Sequence, residues 1–329
     1  MAKKMLIALF LAGFMLNLAS AGVCAPRGEG DKYPTKPINY LVVWDPGGQS
    51  DRTARLQQPQ LEKMLGQKIV IDYKVGGGGA VGWAQFVRAR PDGYSIVGTN
   101  LPTIVTQPMM QDVGYRTDQF VPICDFQYTP LVMVVKKDSP YKSLKDFLAA
   151  AKADPGKRSV GGVALWSITH ILYLNLTKEA KVEAQFVPHT GSASLVSNIL
   201  GGHVDVGVIY TDDMIRLGDQ IRVLAVATPE KFPGREDAPT FKEQGFNYDA
   251  GVSRGVALPA GSPEYAVKKL EKAFVEITKS PEYVKTMVSQ GFVPRVMNAE
   301  QFKAEIARQK AFWAEALKGA DIKKEAPKK

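Results

Sequence analysis

Residues 40–55, YLVVWDPGGQSDRTAR, decide the fold of this chain. Residues 41–44 form an apolar, β-prone run. Pro46, Gly47 and Gly48 turn the chain sharply, and Ser50 and Asp51 are residues that cap helices. Strand, glycine turn and helix start, in that order, make an anion cradle: the first turn of a helix presents unpaired N–H groups and the positive end of its dipole. Main chain alone can hold a small anion there, without a lysine. The same order of elements also serves as an ordinary tight turn in α/β domains, so the stretch speaks to fold before function.

The N-terminus points to export. Lys3 and Lys4 form a basic region, residues 5–18 an apolar run, and Ala19-Ser20-Ala21 a small-x-small cleavage pattern, so residues 1–21 read as a signal peptide and the mature protein as periplasmic. The apolar run is short for a membrane span, and no later segment reaches about 18 apolar residues. Cys24 lies just past the run, but Val23 stands where a lipid-anchor site needs a small residue. Cys24 and Cys124 form one bridge at most and cannot build a disulfide framework or a C-x-x-C site. Cys124 reads as a small buried apolar residue and Cys24 as a free thiol in the leader.

The formal net charge is +9, and loss of Lys3 and Lys4 leaves +7. The basic residues are dispersed apart from the KKEAPKK tail, so nucleic acid is excluded as a partner and the charge reads as solubility, with some attraction for anionic solutes. About 300 mature residues, 45% hydrophobic overall, suffice for two domains with their own cores.

Strands and helices alternate along the chain. Residues 69–73 read as a strand, the tetraglycine 76–79 leads into a helix over 80–89, and Pro91-Asp92-Gly93 turns into a strand over 94–98. Another strand is expected over 131–135. Ser143 with Asp146 forms a capping box before a helix that Asp154-Pro155-Gly156 stops. Ser262-Pro263 and Ser280-Pro281 read as helix starts with a cap followed by proline at the first position, and Gly291 closes the second helix. A strand is expected to end at Asp205. Pro59 falls inside the helix expected over 51–65 and should kink or shorten it.

The order of motifs resembles one family over nearly the whole mature chain: the extracytoplasmic solute receptors of tripartite tricarboxylate transporters, or Bug proteins. The collinear pieces are YPTKPINYLVVWDPGGQSDRTARL, GGGGAVGWAQFVRARPDGYSIVGTN, YRTDQFVPICDF, SVGGVALWSITHI, VPHTGSASLVSNILGGHVDVG, RVLAVAT, APTFKEQGF and RGVALPAGSP. The resemblance implies an α/β, two-lobed periplasmic-binding-protein fold of type II, a Venus flytrap with a hinge of two crossing segments. Lobe 1 would comprise residues 36–127 and 251–329, and lobe 2 residues 128–250. It also implies a monomeric receptor that captures a small carboxylate (organic acid, aromatic acid or amino acid) for membrane transporter subunits, with no cofactor and no metal.

In such receptors main-chain amides of the first-strand loop hold one ligand carboxylate. Here that loop brings Trp44, Asp45, Pro46, Gly47, Gly48, Gln49, Ser50 and Asp51. The loop and helix start after a glycine strand face it, bringing Ala164, Leu165, Trp166, Ser167 and His170. Thr99 and Asn100 end a strand at the expected cleft mouth. His189 and Thr190 precede a further glycine-marked helix start, and Asp205 ends the next strand or only orders its turn. Trp166 is either a wall for the solute or core, and His170 either a ligand group or a buried histidine bonded to backbone. His189 stands where the family usually has tyrosine. Trp44 and Asp45 replace Phe-Pro or Tyr-Pro, and Ser253 replaces a tryptophan. Asp45 would repel an acid unless it faces away or meets an amine or hydroxyl.

Ser167, His170, His189 and Asp205 do not make a hydrolase, because the chain has no G-x-S-x-G elbow; the tetraglycine lacks the G-K-[ST] of a phosphate loop, and three histidines in separate segments do not spell a metal site. The alternative to uptake is a receptor that presents its ligand to a membrane sensor, which the residues do not distinguish.

Overall fold

In the INYLV run of β1 (Ile38–Val42) all residues but Asn39 are buried, and the strand is paired on both edges, in parallel with β2 (Ile69–Tyr73) and with β3 (Ser95–Leu101). A strand covered on both faces by helices has little polar side to present, hence the apolar run from Tyr40 onward, with Asn39 alone exposed. These strands belong to a computed structural model that describes residues 29–316. The signal segment 1–21, Cys24 and the KKEAPKK tail lie outside the described residues. The chain divides into residues 1–33, of which the helical turn α1 (Glu29–Lys32) is described, and a main unit over residues 34–329.

Within the main unit, α2 (Gln49–Leu65) follows β1, and α3 (Ala80–Phe86) follows β2 after the glycines. The helix α4 (Thr103–Met110) follows β3. The chain then enters β4 (Phe120–Lys136), a strand of 17 residues. Beyond it come α5 (Leu144–Ala153), β5 (Ser159–Val163), α6 (Ile168–Ala180), β6 (Gln185–His189), α7 (Ser192–Leu200), β7 (Val206–Tyr210), α8 (Thr211–Leu217) and β8 (Ile221–Val226). The last part comprises β9 (Gly251–Pro259), α9 (Glu264–Lys279), α10 (Pro281–Ser289), β10 (Val293–Met297) and α11 (Ala299–Ala316). The strand order is β2-β1-β3-β9-β4-β7-β5-β6, with β8 and β10 also paired to β4.

The long strand changes partners midway. From Phe120 to Pro130 it pairs antiparallel with β9, and from Leu131 onward with β7 and β8. Only its second part was expected from sequence. Pro122, Asp125, Gln127 and Thr129 break the apolar run before it, and the register shifts at Pro122/Cys124 and Asp125/Gln127. The polar groups are buried but matched: Arg295 and Ser253 donate to Asp125, Gln127 donates to Thr129 Oγ1 at 3.0 Å, and Thr53 donates to Gln127 Oε1 at 3.1 Å. Cys124 is buried in the same strand.

Other expectations need correction. Helix α2 runs through Pro59 unshortened to Gly66, whose left-handed φ of 66° ends it. Pro59 lies on the exposed face, where water can take the carbonyl left without its i+4 donor. Helix α3 stops at Phe86, short of Ala89. The segment ending at Asp205 is a turn that follows α7, and the strand begins one residue later at Val206. Helix α9 starts at Glu264, with Pro263 in extended conformation as its cap and Ser262 Oγ unpartnered, so proline there is not the first helical residue. At Ser280-Pro281 the expected start is present, with Tyr283 N donating to Ser280 Oγ, as is the capping box of Ser143 and Asp146.

Helix α7 lies so close on β7 that a Cβ built on Gly207 would sit 2.1 Å from Ile199 Cδ1 and 2.6 Å from its Cγ1. Gly207→Ala therefore overpacks this contact and should lower stability by about 1–3 kcal/mol. Adding Ile199→Val, which removes Cδ1, should recover part of the loss. Urea melts of the two single variants and the double variant check this; strictly additive losses would mean that the two side chains do not compete for the same space.

Candidate functional site

The β1–α2 turn is closed by its own side chains. Gly47 takes φ 74°, and its amide donates to Asp51 Oδ2 at 2.6 Å, while Gly48 N donates to the Asp45 carbonyl at 3.0 Å. Gly48 itself is extended, with φ −73°, so the left-handed residue of the pair is Gly47. Gly48 is needed for closeness instead: a Cβ there would stand 2.9 Å from Asp45 O and 3.2 Å from Ser192 Oγ. Asp51 also accepts from Tyr73 OH at 2.7 Å and pairs with Arg55, and Pro46 is exposed. Of the two expected caps, Asp51 therefore bonds the turn, whereas Ser50 Oγ is buried and bonds nothing.

Two further helix starts, those of α7 and α8, meet this turn. Gln49 N donates to Ser192 Oγ at 2.9 Å, at the first residue of α7. Ser194 donates from Oγ at 2.7 Å and from N at 3.3 Å to Asp45 Oδ2, so the Asp45 carboxylate sits on the N-terminus of α7, where a helix dipole favours negative charge. Asp45 thus meets a hydroxyl, that of the protein itself. From α8, Asp212 accepts from Gln49 Nε2 and Arg52, and Asp213 accepts from Arg52 at 3.1 Å and Arg216 at 2.8 Å. Burial and the neighbouring Asp213 push the Asp212 carboxyl up, against Arg52 and Arg254, which pull it down.

The β5–α6 loop carries Ala164 at φ 64° and Trp166 at φ 62°, both left-handed without being glycine. Neighbours hold them there. Ala164 N donates to His189 O at 3.0 Å, Thr106 Oγ1 donates to Trp166 O, and Gly78 approaches so closely that a Cβ on it would overlap Ala164 Cβ. The tetraglycine therefore provides room for this loop. Ser167 caps α6 and donates to Ala164 O at 3.0 Å, and Leu165 is half-buried.

His170 packs among Trp166, Tyr173 and Phe186, and its Nδ1 accepts from Trp166 N at 3.2 Å. Burial lowers its pKa to about 4, so it is neutral at pH 7 and serves as a buried histidine bonded to backbone. Trp166 is likewise buried in this cluster. His189 turns Nδ1 towards the carbonyls of Val187 and Gly162, and Thr190 is exposed beside Ser194. Asp205 stands apart: it accepts from Ser159 N and Oγ, both at 2.8 Å, at the start of β5, the end opposite Ala164.

A different group of expected residues lines one small cavity. Trp44, Ser50, Thr99 and Asn100 meet there with Tyr40, Thr53, Phe126 and Arg254. Arg254 is 4% exposed, and the antiparallel register of β3 and β9 sets it opposite Asn100. Trp44 Nε1, Ser50 Oγ, Thr99 Oγ1, Arg254 Nε and Arg254 Nη1 are all buried without a hydrogen-bond partner. Sequence reading did not single out Arg254. The available signal was one cation within the apolar run GVSRGVALP. Among the described residues no group of three or more His, Cys, Asp or Glu could hold a metal ion, and no helix is long and apolar enough to cross a membrane.

Comparison with known proteins agrees with this architecture. Residues 53–321 match the model of the tripartite tricarboxylate transporter family receptor. BugT of Bordetella pertussis is 28% identical over 95% of this chain and 98% of its own. Among solved structures, the periplasmic binding protein BugD is 27% identical with TM-score 0.82, covering 87% of this chain and 98% of its own. An R. palustris protein with adipate is 25% identical with TM-score 0.82, covering 87% and 97%. The shared fold is the mixed α/β fold of periplasmic binding proteins, and the similar proteins are binders rather than enzymes. This chain belongs to the family of receptors of tripartite tricarboxylate transporters.

Proposed function

We propose that this protein is an exported, monomeric receptor that captures a small carboxylated solute and delivers it to the membrane subunits of a tripartite tricarboxylate transporter. In this reading residues 36–127 with 251–329 form one lobe, residues 128–250 the other, and the two chain crossings near β4 and β9 form the hinge. The observation that carries the reading is the meeting of two helix starts, α2 and α7, through Gln49 N and Ser192 Oγ, with the Asp45 carboxylate already seated on α7. Ligands of open α/β sheets bind where strand ends and helix starts converge in this way. The adipate in the R. palustris relative agrees with an acid as solute. Two or three charge-assisted bonds of about 1.5–3 kcal/mol each, less desolvation and ordering costs, account for the roughly −8 kcal/mol of a micromolar receptor.

Thermal-shift screening of organic acids, aromatic acids and amino acids tests the ligand class. A true ligand at 100 times its Kd adds about 2.7 kcal/mol, which should raise the melting temperature by about 5 °C. Stabilisation only by neutral sugars or metal ions would overturn the reading. Uptake of the acid found, measured in cells with and without the receptor gene, tests delivery; equal uptake in both would point to presentation to a sensor.

A second expectation concerns the turn. Gly48→Val should leave the fold cooperative but weaken the acid about 10-fold or more, because the added Cβ presses on Asp45 O and Ser192 Oγ and spreads the loops apart. Calorimetry decides, and unchanged affinity in a folded variant would remove this turn from the site.

A further inference from the structure

The donors around Arg254 form a set with nothing to bond. Arg254 Nε and Nη1, Trp44 Nε1, Ser50 Oγ and Thr99 Oγ1 are buried, lack partners and line the same cavity. Such a concentration is unusual, because buried polar groups are nearly always matched and a buried cation is strongly disfavoured unless paired. Arg254 has only partial compensation. The Tyr210 ring lies 5.5 Å from its guanidinium carbon, and Asp212 and Asp213 attract it without bonding it, but both already bond Arg52, whose like charge repels Arg254. The guanidinium nevertheless remains charged in any accessible pH range.

The geometry points to this cavity as the seat of one carboxylate of the solute, with Arg254 as its fixed counter-charge and Trp44, Ser50 and Thr99 as donors to its oxygens. The inference rests on the receptor reading above and differs from it in mechanism: this carboxylate is recognised by side chains with a formal charge, where the resemblance implied main-chain amides of the first-strand loop. The amides of Gly47, Gly48 and Gln49 are in fact occupied by Asp51, Asp45 and Ser192.

The lining also sets the class of acid. The cavity holds about 10 Å³, the room of a single water, so a carboxylate head group enters only as the lining side chains shift apart, and a bulkier group is excluded. No acidic side chain lines it, so an ammonium beside the carboxylate would face Arg254 without a counter-charge of its own. The solute is therefore an organic acid whose docked carboxylate carries no α-ammonium, such as an unbranched dicarboxylate or an aromatic acid, rather than an α-amino acid.

The test uses the mature protein and three probes by calorimetry: adipate, benzoate and 2,5-diaminoadipate. Adipate or benzoate should bind wild type and 2,5-diaminoadipate should not. Arg254→Met should weaken the bound acid about 10- to 100-fold, and Arg254→Lys, which keeps charge but loses the planar donors, should fall between. Without ligand, Arg254→Met should melt at or above wild type, since it removes a buried cation with only partial compensation; a purely structural arginine would make it melt lower. Adipate or benzoate binding that survives Arg254→Met overturns the inference and leaves the receptor reading standing, as does binding of the diamino acid alone. If neither these probes nor any acid in the wider screen binds wild type, both fall.

Discussion

The antiparallel pairing of β4 with β9 carries the rest of the structure. Nine residue pairs run from Phe120↔Pro259 to Pro130↔Gly251, and β4 then continues as the partner of β7 and β8. One strand thereby belongs to two sets of neighbours: on one side the parallel group β2, β1 and β3, on the other β7, β5 and β6. Every loop that takes part in the candidate site hangs from one group or the other. Their mutual placement depends on the point at which β4 exchanges partners, between Pro130 and Leu131. Proline suits that point because it has no N–H to leave unmatched when a ladder ends.

Two sets of charged groups lie around this spine. In one set, Arg52 binds the buried Asp212 and Asp213, and Asp45 binds the start of α7, so four charged groups close the loops upon one another. Each of these charges has its partner. The other set is different, because Arg254 and its neighbouring donors are buried and unmatched. Folding tolerates such a group only if the remaining packing is strong, and the extensive apolar core around β4 and β9 supplies it. Strain is stored similarly in Ala164 and Trp166, whose left-handed backbone is held by Thr106 and by contact with Gly78.

Much of this was legible residue by residue. The apolar run at 41–44, the turn at Pro46-Gly47-Gly48, the strand Ile69–Tyr73, the capping box at Ser143 and the start at Ser280-Pro281 are local features, each encoded by neighbours in the chain. Local reading failed where tertiary contact overrides it. Buried Asp125 and Gln127 look like a break in a strand until Arg295, Ser253 and Thr53 are brought to them, and Pro59 looks like a helix end until its exposed position is known.

By itself the sequence determined the α/β alternation, the family and the glycine-marked loops from which the candidate site is drawn, because glycine turns, caps and apolar periodicity act over a few residues and survive without knowledge of their partners. Only the tertiary structure decided which side chains those loops present to one another. Gln49 meets Ser192 and Asp212 across 143 and 163 residues, Arg52 meets Asp212 across 160, and Arg254 reaches Asn100 through the β3–β9 register. The same structure set His170 among aromatic rings and Asp205 at the far end of β5. Pairings over such separations follow from strand order and register, which no short stretch of chain encodes.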